Sequence, residues 1–226
     1  MSAGPGEHVD VPTRFDRRKA RTRRALLDAA RRLMVERGTT DVSIQEITER
    51  ADVGFGTFYN HFTTKTEIFE VAVAEVLEDH GRLLDEVSQG IQDPAEVFAV
   101  GVRATVRLVD TEPAAAEVLV QAGLSYLVRN DGLGPRAMRD VARGIEVGRF
   151  AVTSAPLGLI ITAGCLLAAL QIRLRLPGYL PDDTPEELAE RILVMFGLAS
   201  ADAREVANRP LPEVPPAGLP APAWLI

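Results

Sequence analysis

Residues 51–65, ADVGFGTFYNHFTTK, put two glycines, four aromatic rings and a histidine into a segment with no clear core-facing stripe. The flanks say what such a segment is part of. Upstream, Ser43 and Glu46 have capping-box spacing and Val42 with Ile47 can form a hydrophobic staple, so a short helix starts after Ser43. Residues 51–54 read as a turn. Downstream, Thr64 and Glu67 predict a second capping box, opening a long helix with Ile68, Phe69, Ala72, Val73, Val76 and Leu77 on its buried side and an end near Gly90. Further back, Leu26, Leu27, Ala30, Leu33 and Met34 share one face of a helix expected over about 17–37, with Gly38 as its left-handed cap.

Helix, short helix, tight turn and short helix make a tri-helical unit containing a helix-turn-helix. Such a unit lays its second motif helix in the major groove of DNA. Residues 54–62 suit that task. Gly54 and Gly56 let the backbone approach a sugar-phosphate surface closely. Thr57, Tyr59, His61 and Lys65 offer donors or charge to phosphate oxygens, and Phe55 can meet a thymine methyl. Phe58, Phe62 and Phe69 read as core rings. Just upstream, TRFDRRKARTRR sets Arg14, Arg17, Arg18, Lys19, Arg21, Arg23 and Arg24 against the single acid Asp16. Such a run is either a solvated helix face or a basic arm that steepens the salt dependence of DNA binding.

Overall charge alone argues against a nucleic-acid partner, since the 226 residues carry a formal −7. Its distribution reverses that argument. Residues 1–66 hold 12 Lys/Arg against 9 Asp/Glu, or +3, leaving −10 for the remainder. Such asymmetry predicts two jobs in one chain. The lone Cys165 cannot form an intrachain disulfide and reads as a small buried hydrophobe, and the first residues lack a signal-peptide pattern, so a reducing cytoplasm is expected. His80 with Glu78 and Asp79 is too weak a cluster to predict a metal. No motif assembles a catalytic triad, and no cofactor is implied.

Strand-like alternation is absent, so the fold expected is all-α. Further helices are predicted over 94–109, 112–128, 135–147, 154–176 and 184–200. Asp93-Pro94 starts the first of these. Thr184, Pro185 and Glu187 start the last as N-cap, first-turn proline and capping-box acid, with Leu188, Ile192, Met195, Phe196 and Ala199 as its stripe. No charge lies between Arg149 and Arg173, an interval long enough to span a bilayer, though its core LGLIITAGCLLAAL better suits a buried helix. The proline-rich run from 209 onward excludes a regular helix.

From Arg21 to Phe69 the sequence resembles the TetR family of transcriptional regulators. LLDAA, Gly38, SIQEITERADV, and GTFYNHF followed by Lys65 carry the resemblance, in the family's order and spacing. The resemblance implies a cytoplasmic homodimer, each N-terminal domain reading half of a near-palindromic operator, and a helical C-terminal domain whose small-molecule effector releases DNA. It puts Thr57, Tyr59, His61 and Lys65 on phosphates and Phe55 and Gly56 at base edges. Ser43 is a further phosphate candidate, and Arg17, Arg18 and Arg21 belong to the basic arm. Gly54 stands where the family often has serine, which keeps the cap and loses a hydroxyl contact. The dimer core is expected from Gly164, Ala168, Leu188, Ile192 and Phe196. A mainly apolar effector is expected among Phe98, Val102 and Phe150, with Gln121, Tyr126 and Arg129 as polar handles.

The organisation expected is an arm (1–16), a helix-turn-helix domain (17–66), a helical effector-binding and dimerisation domain (67–208) and a tail (209–226). Two other readings compete with a ligand-responsive repressor: a small-molecule enzyme or carrier with an accessory helix-turn-helix, and a membrane-tethered protein using the uncharged segment.

Overall fold

The structure, a computed structural model, describes residues 13–128 and 130–212, except for the side chains of Tyr126 and Val128. Every regular element among these residues is helical. In chain order they are α1 (Arg14–Arg37), α2 (Ile44–Arg50), α3 (Phe55–Phe58), α4 (Lys65–Val87), α5 (Pro94–Thr111), α6 (Pro113–Ala122), a 3-10 turn (Gly123–Val128), α7 (Leu133–Glu146), α8 (Ala155–Arg175), α9 (Thr184–Met195) and α10 (Ser200–Ala207).

Local chemistry sets most of the boundaries. At α2 the capping box forms as expected: Ser43 Oγ accepts from the Glu46 amide at 3.2 Å and Glu46 Oε2 accepts from the Ser43 amide at 2.7 Å. Its counterpart at α4 is displaced. Thr64 Oγ1 takes the Glu67 amide at 3.1 Å, but the Glu67 carboxylate turns to the amide and hydroxyl of Thr63, both at 2.6 Å.

The first helix begins earlier than expected because of a box that the sequence reading passed over. Thr13 Oγ1 accepts from the Asp16 amide and Asp16 Oδ2 accepts from the Thr13 amide, at 3.2 and 3.0 Å. The end of the expected arm is therefore helical from Arg14, and its other residues, 1–12, lie outside the described residues.

Two long expected helices are broken. The one predicted over 112–128 stops at Gly123 and continues as the 3-10 turn. The one predicted over 184–200 stops at Met195, because Gly197 takes φ +96 and Ala151 crosses it, donating its amide to Phe196 O at 2.7 Å. A Cβ at position 197 would stand 2.6 Å from Ala151 Cβ, so neither the conformation nor the space admits a side chain. The chain then restarts as α10. The capping box predicted at Thr184 is also absent. Asp183 is the N-cap without a side-chain bond, and Thr184 Oγ1 donates instead to Pro181 O at 2.6 Å.

Two apolar cores result. One joins α1, α2, Phe58, Phe62 and the first half of α4 to α6 and to Ala163 and Leu170 of α8. Phe58 and Phe62 are fully buried in it, as expected, each contributing on the order of 1.5–3 kcal/mol. The other joins α5, Phe150, α9 and α10 around a cluster of Phe98, Phe150 and Phe196, with ring centroids 4.8–5.9 Å apart.

The uncharged segment forms α8. It is long and apolar enough to cross a membrane. One side contributes Leu159, Ala163, Ala169 and Leu170 to the chain's interior.

Candidate nucleic-acid interface and cavity

The tri-helical end presents the opening segment outward. Gly54, Phe55, Gly56 and Tyr59 are exposed, Thr57 and His61 half-buried. Phe55 and Tyr59 are each more than half exposed, and their rings meet edge to face at 5.9 Å. Burying either ring in the protein would be favourable, so the pair stands out as a surface feature. A Cβ at Gly56 would meet nothing within 4 Å, so no internal contact demands glycine there.

The basic half of α1 lies beside this surface. Arg17, Arg18 and Arg21 are exposed, and Arg23 stacks over Phe62 at 4.8 Å. Partial burial, together with the nearby Lys19 and Arg23, pushes the His61 imidazole below its usual range, so His61 is neutral at pH 7. Its Nδ1 is buried without a hydrogen-bond partner. Among the described residues Lys65 pairs with Asp41, at 3.6 Å, a contact of little strength at the surface. The Ser43 hydroxyl donates to Glu46 at 2.8 Å, so a phosphate there would have to share it with the capping box.

The second site is a cavity of about 390 Å³ between α4, α5, α6, α7 and α8. Phe98 and Val102 line it. Phe150 does not: it packs inside the second core, where a Cβ on Gly144 would lie 2.1 Å from its ring. Gln121 does not either. It reaches across to the N-terminal unit and donates to Gly38 O at 2.5 Å, as well as to Glu117 at 3.0 Å. The side chain of Tyr126, and Arg129 altogether, lie outside the described residues.

The charged groups on the cavity wall are ones that sequence reasoning missed: Asp85 at the end of α4, and Arg136, Arg139, Asp140 and Arg143 on α7. Arg136 donates to Asp85 at 2.7 Å and to both Glu78 oxygens at 2.8 Å, while Arg139 donates to Asp85 at 2.8 Å and to Asp140 at 2.9 Å. Burial alone would raise the Asp85 carboxyl, but the hydrogen bonds from Arg136 and Arg139 outweigh it and hold it below the usual range. Gly81 in mid-α4 makes this arrangement possible, since a Cβ there would come within 2.9 Å of the Arg136 side chain. A sequence signal for the wall did exist. Arg136, Arg139, Asp140 and Arg143 recur at i, i+3, i+4 and i+7, one charged stripe of α7.

Behind the cavity, His80 is wholly buried. Thr105 Oγ1 donates to Gly101 O at 2.8 Å, so its 3.0 Å contact with His80 Nε2 requires the imidazole to donate. That leaves His80 Nδ1 without a partner, and burial lowers its pKa to about 4.

The residues expected at a dimer face divide. Ile192 and Phe196 are fully buried within this chain and have no surface left to give a partner. They face inward because the break at Gly197 folds α10 back beneath α9, closing the second core over them. Gly164 and Ala168 are exposed, on the same side of α8 as Leu157 and Ile160, and Leu188 is half-buried.

Comparison with known proteins gives two family matches: residues 26–72 match "Bacterial regulatory proteins, tetR family", and residues 93–209 match "Tetracyclin repressor-like, C-terminal domain". The solved structure of RolR in complex with the ligand resorcinol is similar at 40% identity and a TM-score of 0.71, over 88% of this chain and 98% of that one. RolR without ligand gives 39% identity and a TM-score of 0.68, over 84% and 98%. SmeT of Stenotrophomonas maltophilia, the repressor of the multidrug efflux pump SmeDEF, shares the fold at 16% identity and a TM-score of 0.59, over 78% and 92%. No curated protein matches the chain.

Proposed function

Because the chain belongs to the TetR family of DNA-binding transcriptional regulators, we propose that it is a cytoplasmic, homodimeric repressor that leaves a near-palindromic operator when a small hydroxylated aromatic molecule fills the cavity. It acts by binding, with no catalytic step. The observation that carries the DNA-binding half is the exposed Phe55–Tyr59 pair beside the basic face of α1. Gly54 and Gly56 let the backbone close on the duplex, while Thr57, Tyr59, His61 and Lys65 with Arg17, Arg18 and Arg21 meet phosphates. Phe55 carries the sequence preference.

The effector half rests on the paired charges of the cavity wall. Asp85 and Asp140 are acceptors and Arg136 and Arg139 donors, so a neutral hydroxyl, which both donates and accepts, can insert between them without adding charge. Resorcinol, the ligand in the RolR complex, has two such hydroxyls on one ring. Two connections join the cavity to the DNA-binding end. Helix α4 carries Asp85 at one end and the core residues Ile68 and Phe69 at the other, and α6 carries Leu119 into the cavity and Gln121 onto Gly38.

Dimerisation is assigned to the exposed side of α8 with Leu157, Ile160, Gly164 and Ala168, rather than to Ile192 and Phe196. The four-residue stripe sets two larger apolar side chains, Leu157 and Ile160, beside two small residues, Gly164 and Ala168, which suits close packing of a second helix.

The decisive experiment is a gel-shift titration on DNA flanking the protein's own coding sequence and on a random-sequence selection library, with and without resorcinol. A sequence-selective shift that weakens with salt and is reversed by resorcinol is expected. Binding that is indifferent to sequence refutes the operator reading, and a selective shift that no phenolic compound reverses refutes the effector class.

A further inference from the structure

We infer that the effector is an amphiphile: a hydroxylated ring carrying an apolar substituent at least as bulky as the ring. This rests on the hydroxylated-ring reading above and extends it. Two observations lead to it.

The first is size. A dry cavity of about 150 Å³ suffices to bind benzene. The cavity here is about 390 Å³, so one ring with two hydroxyls would leave more than half of it unfilled. An unfilled apolar void forfeits contacts along its whole lining, and a ligand that closes it gains them.

The second is the division of the wall by chemistry. The charged groups come from the end of α4 and from α7. The helices α5 and α8 contribute Phe98, Val102, Leu159, Leu166 and Leu170. The two hydroxyls on those helices have no proton to offer a ligand. Thr162 donates to Gly158 O at 2.8 Å, and Thr105 both donates to Gly101 O and accepts from His80. The α5–α8 side therefore offers a ligand mainly hydrocarbon and no side-chain hydrogen-bond donor. The complementary ligand has hydroxyls at one end and hydrocarbon at the other.

Calorimetric titration of the full-length protein with resorcinol, 5-methylresorcinol, 5-pentylresorcinol and pentylbenzene tests this. Each buried methylene should tighten binding about four-fold, so a fully buried five-carbon chain should make the pentyl compound bind on the order of a thousand-fold more tightly than resorcinol. Leu166→Trp, which fills the apolar end, should abolish that gain and leave resorcinol within about two-fold of its original affinity. Retained operator binding shows that the variant is folded. If resorcinol binds and the pentyl compound binds no better, the inference fails and the phenolic reading survives. If pentylbenzene binds as well as pentylresorcinol while resorcinol does not bind, the phenolic reading itself fails. A Leu166→Trp variant that loses both resorcinols equally places the substituent elsewhere and overturns the assignment of the apolar end.

Discussion

His80 gives a pH dependence whose size can be worked out in advance. Its imidazole is buried on α4, its Nε2–H bound to Thr105 and its Nδ1 unpartnered, so the folded state holds it neutral with a pKa of about 4, against 6.5 when solvated. A histidine whose folded pKa is depressed binds fewer protons when folded than when unfolded. Its stabilising effect is complete above 6.5 and declines as the pH falls towards 4. Linkage with these two values gives a loss of about 2 kcal/mol between pH 7.5 and pH 5. At pH 5 the carboxylates held low by arginine, among them Asp85, Glu117 and Glu186, still keep most of their stabilisation, since it is lost only as the pH falls below their unfolded values. His80→Gln preserves a neutral donor towards Thr105 and removes the titration. Urea denaturation of both proteins, at one fixed concentration because the stability of the proposed dimer would depend on it, should show the wild type losing about 2 kcal/mol more than the variant over this interval. That corresponds to roughly 4–8 °C in Tm. Parallel pH profiles for the two proteins would refute the argument.

Four further outcomes follow from the geometry. Tyr59→Phe and Lys65→Ala should weaken operator and non-operator DNA alike, with Lys65→Ala lowering the salt slope by about one, whereas Phe55→Ala should reorder affinities among sequences; competitive gel shifts distinguish the two patterns. Gln121→Leu should leave effector affinity intact but reduce the effector's influence on DNA affinity by about 0.5–2 kcal/mol, measured as DNA titrations with and without saturating ligand. Ile160→Asp should convert the proposed dimer to monomers in sedimentation equilibrium, while Leu188→Asp, at a half-buried position off the α8 stripe, should perturb association less. Gly197→Ala should cost about 1–3 kcal/mol in denaturant titration, since it meets both the positive φ and the Ala151 contact.

The DNA-binding end was legible because its signals are local. The Ser43–Glu46 box, the Gly38 cap and the run through Tyr59 and Lys65 act over a few residues, and the structure forms the box and the cap where the sequence predicts them. The break between α9 and α10 was not legible, because Gly197 adopts its conformation against Ala151, which approaches from far earlier in the chain. Without that break, Ile192 and Phe196 look like a surface stripe. The charged wall of the cavity escaped for a related reason. Charged residues at helical spacing on α7 read as a solvated face until α4 packs opposite and Gly81 admits the Arg136 side chain. Gln121 looked like a ligand handle because a polar residue among apolar neighbours carries no mark of which neighbour it serves.

The first apolar core, which runs from α1 and α2 through α4 into α6 and α8, bears on how such a protein can be rebuilt. Cutting the chain after α4 would strip Leu119 and Leu170 from the core they share with Leu33, Met34 and Phe69 and open that core to water. A reading head grafted from a relative would therefore bring its own half of a seam, and α6 would have to be exchanged along with it. The unit that can be transplanted between regulators of this kind is larger than the part that touches DNA.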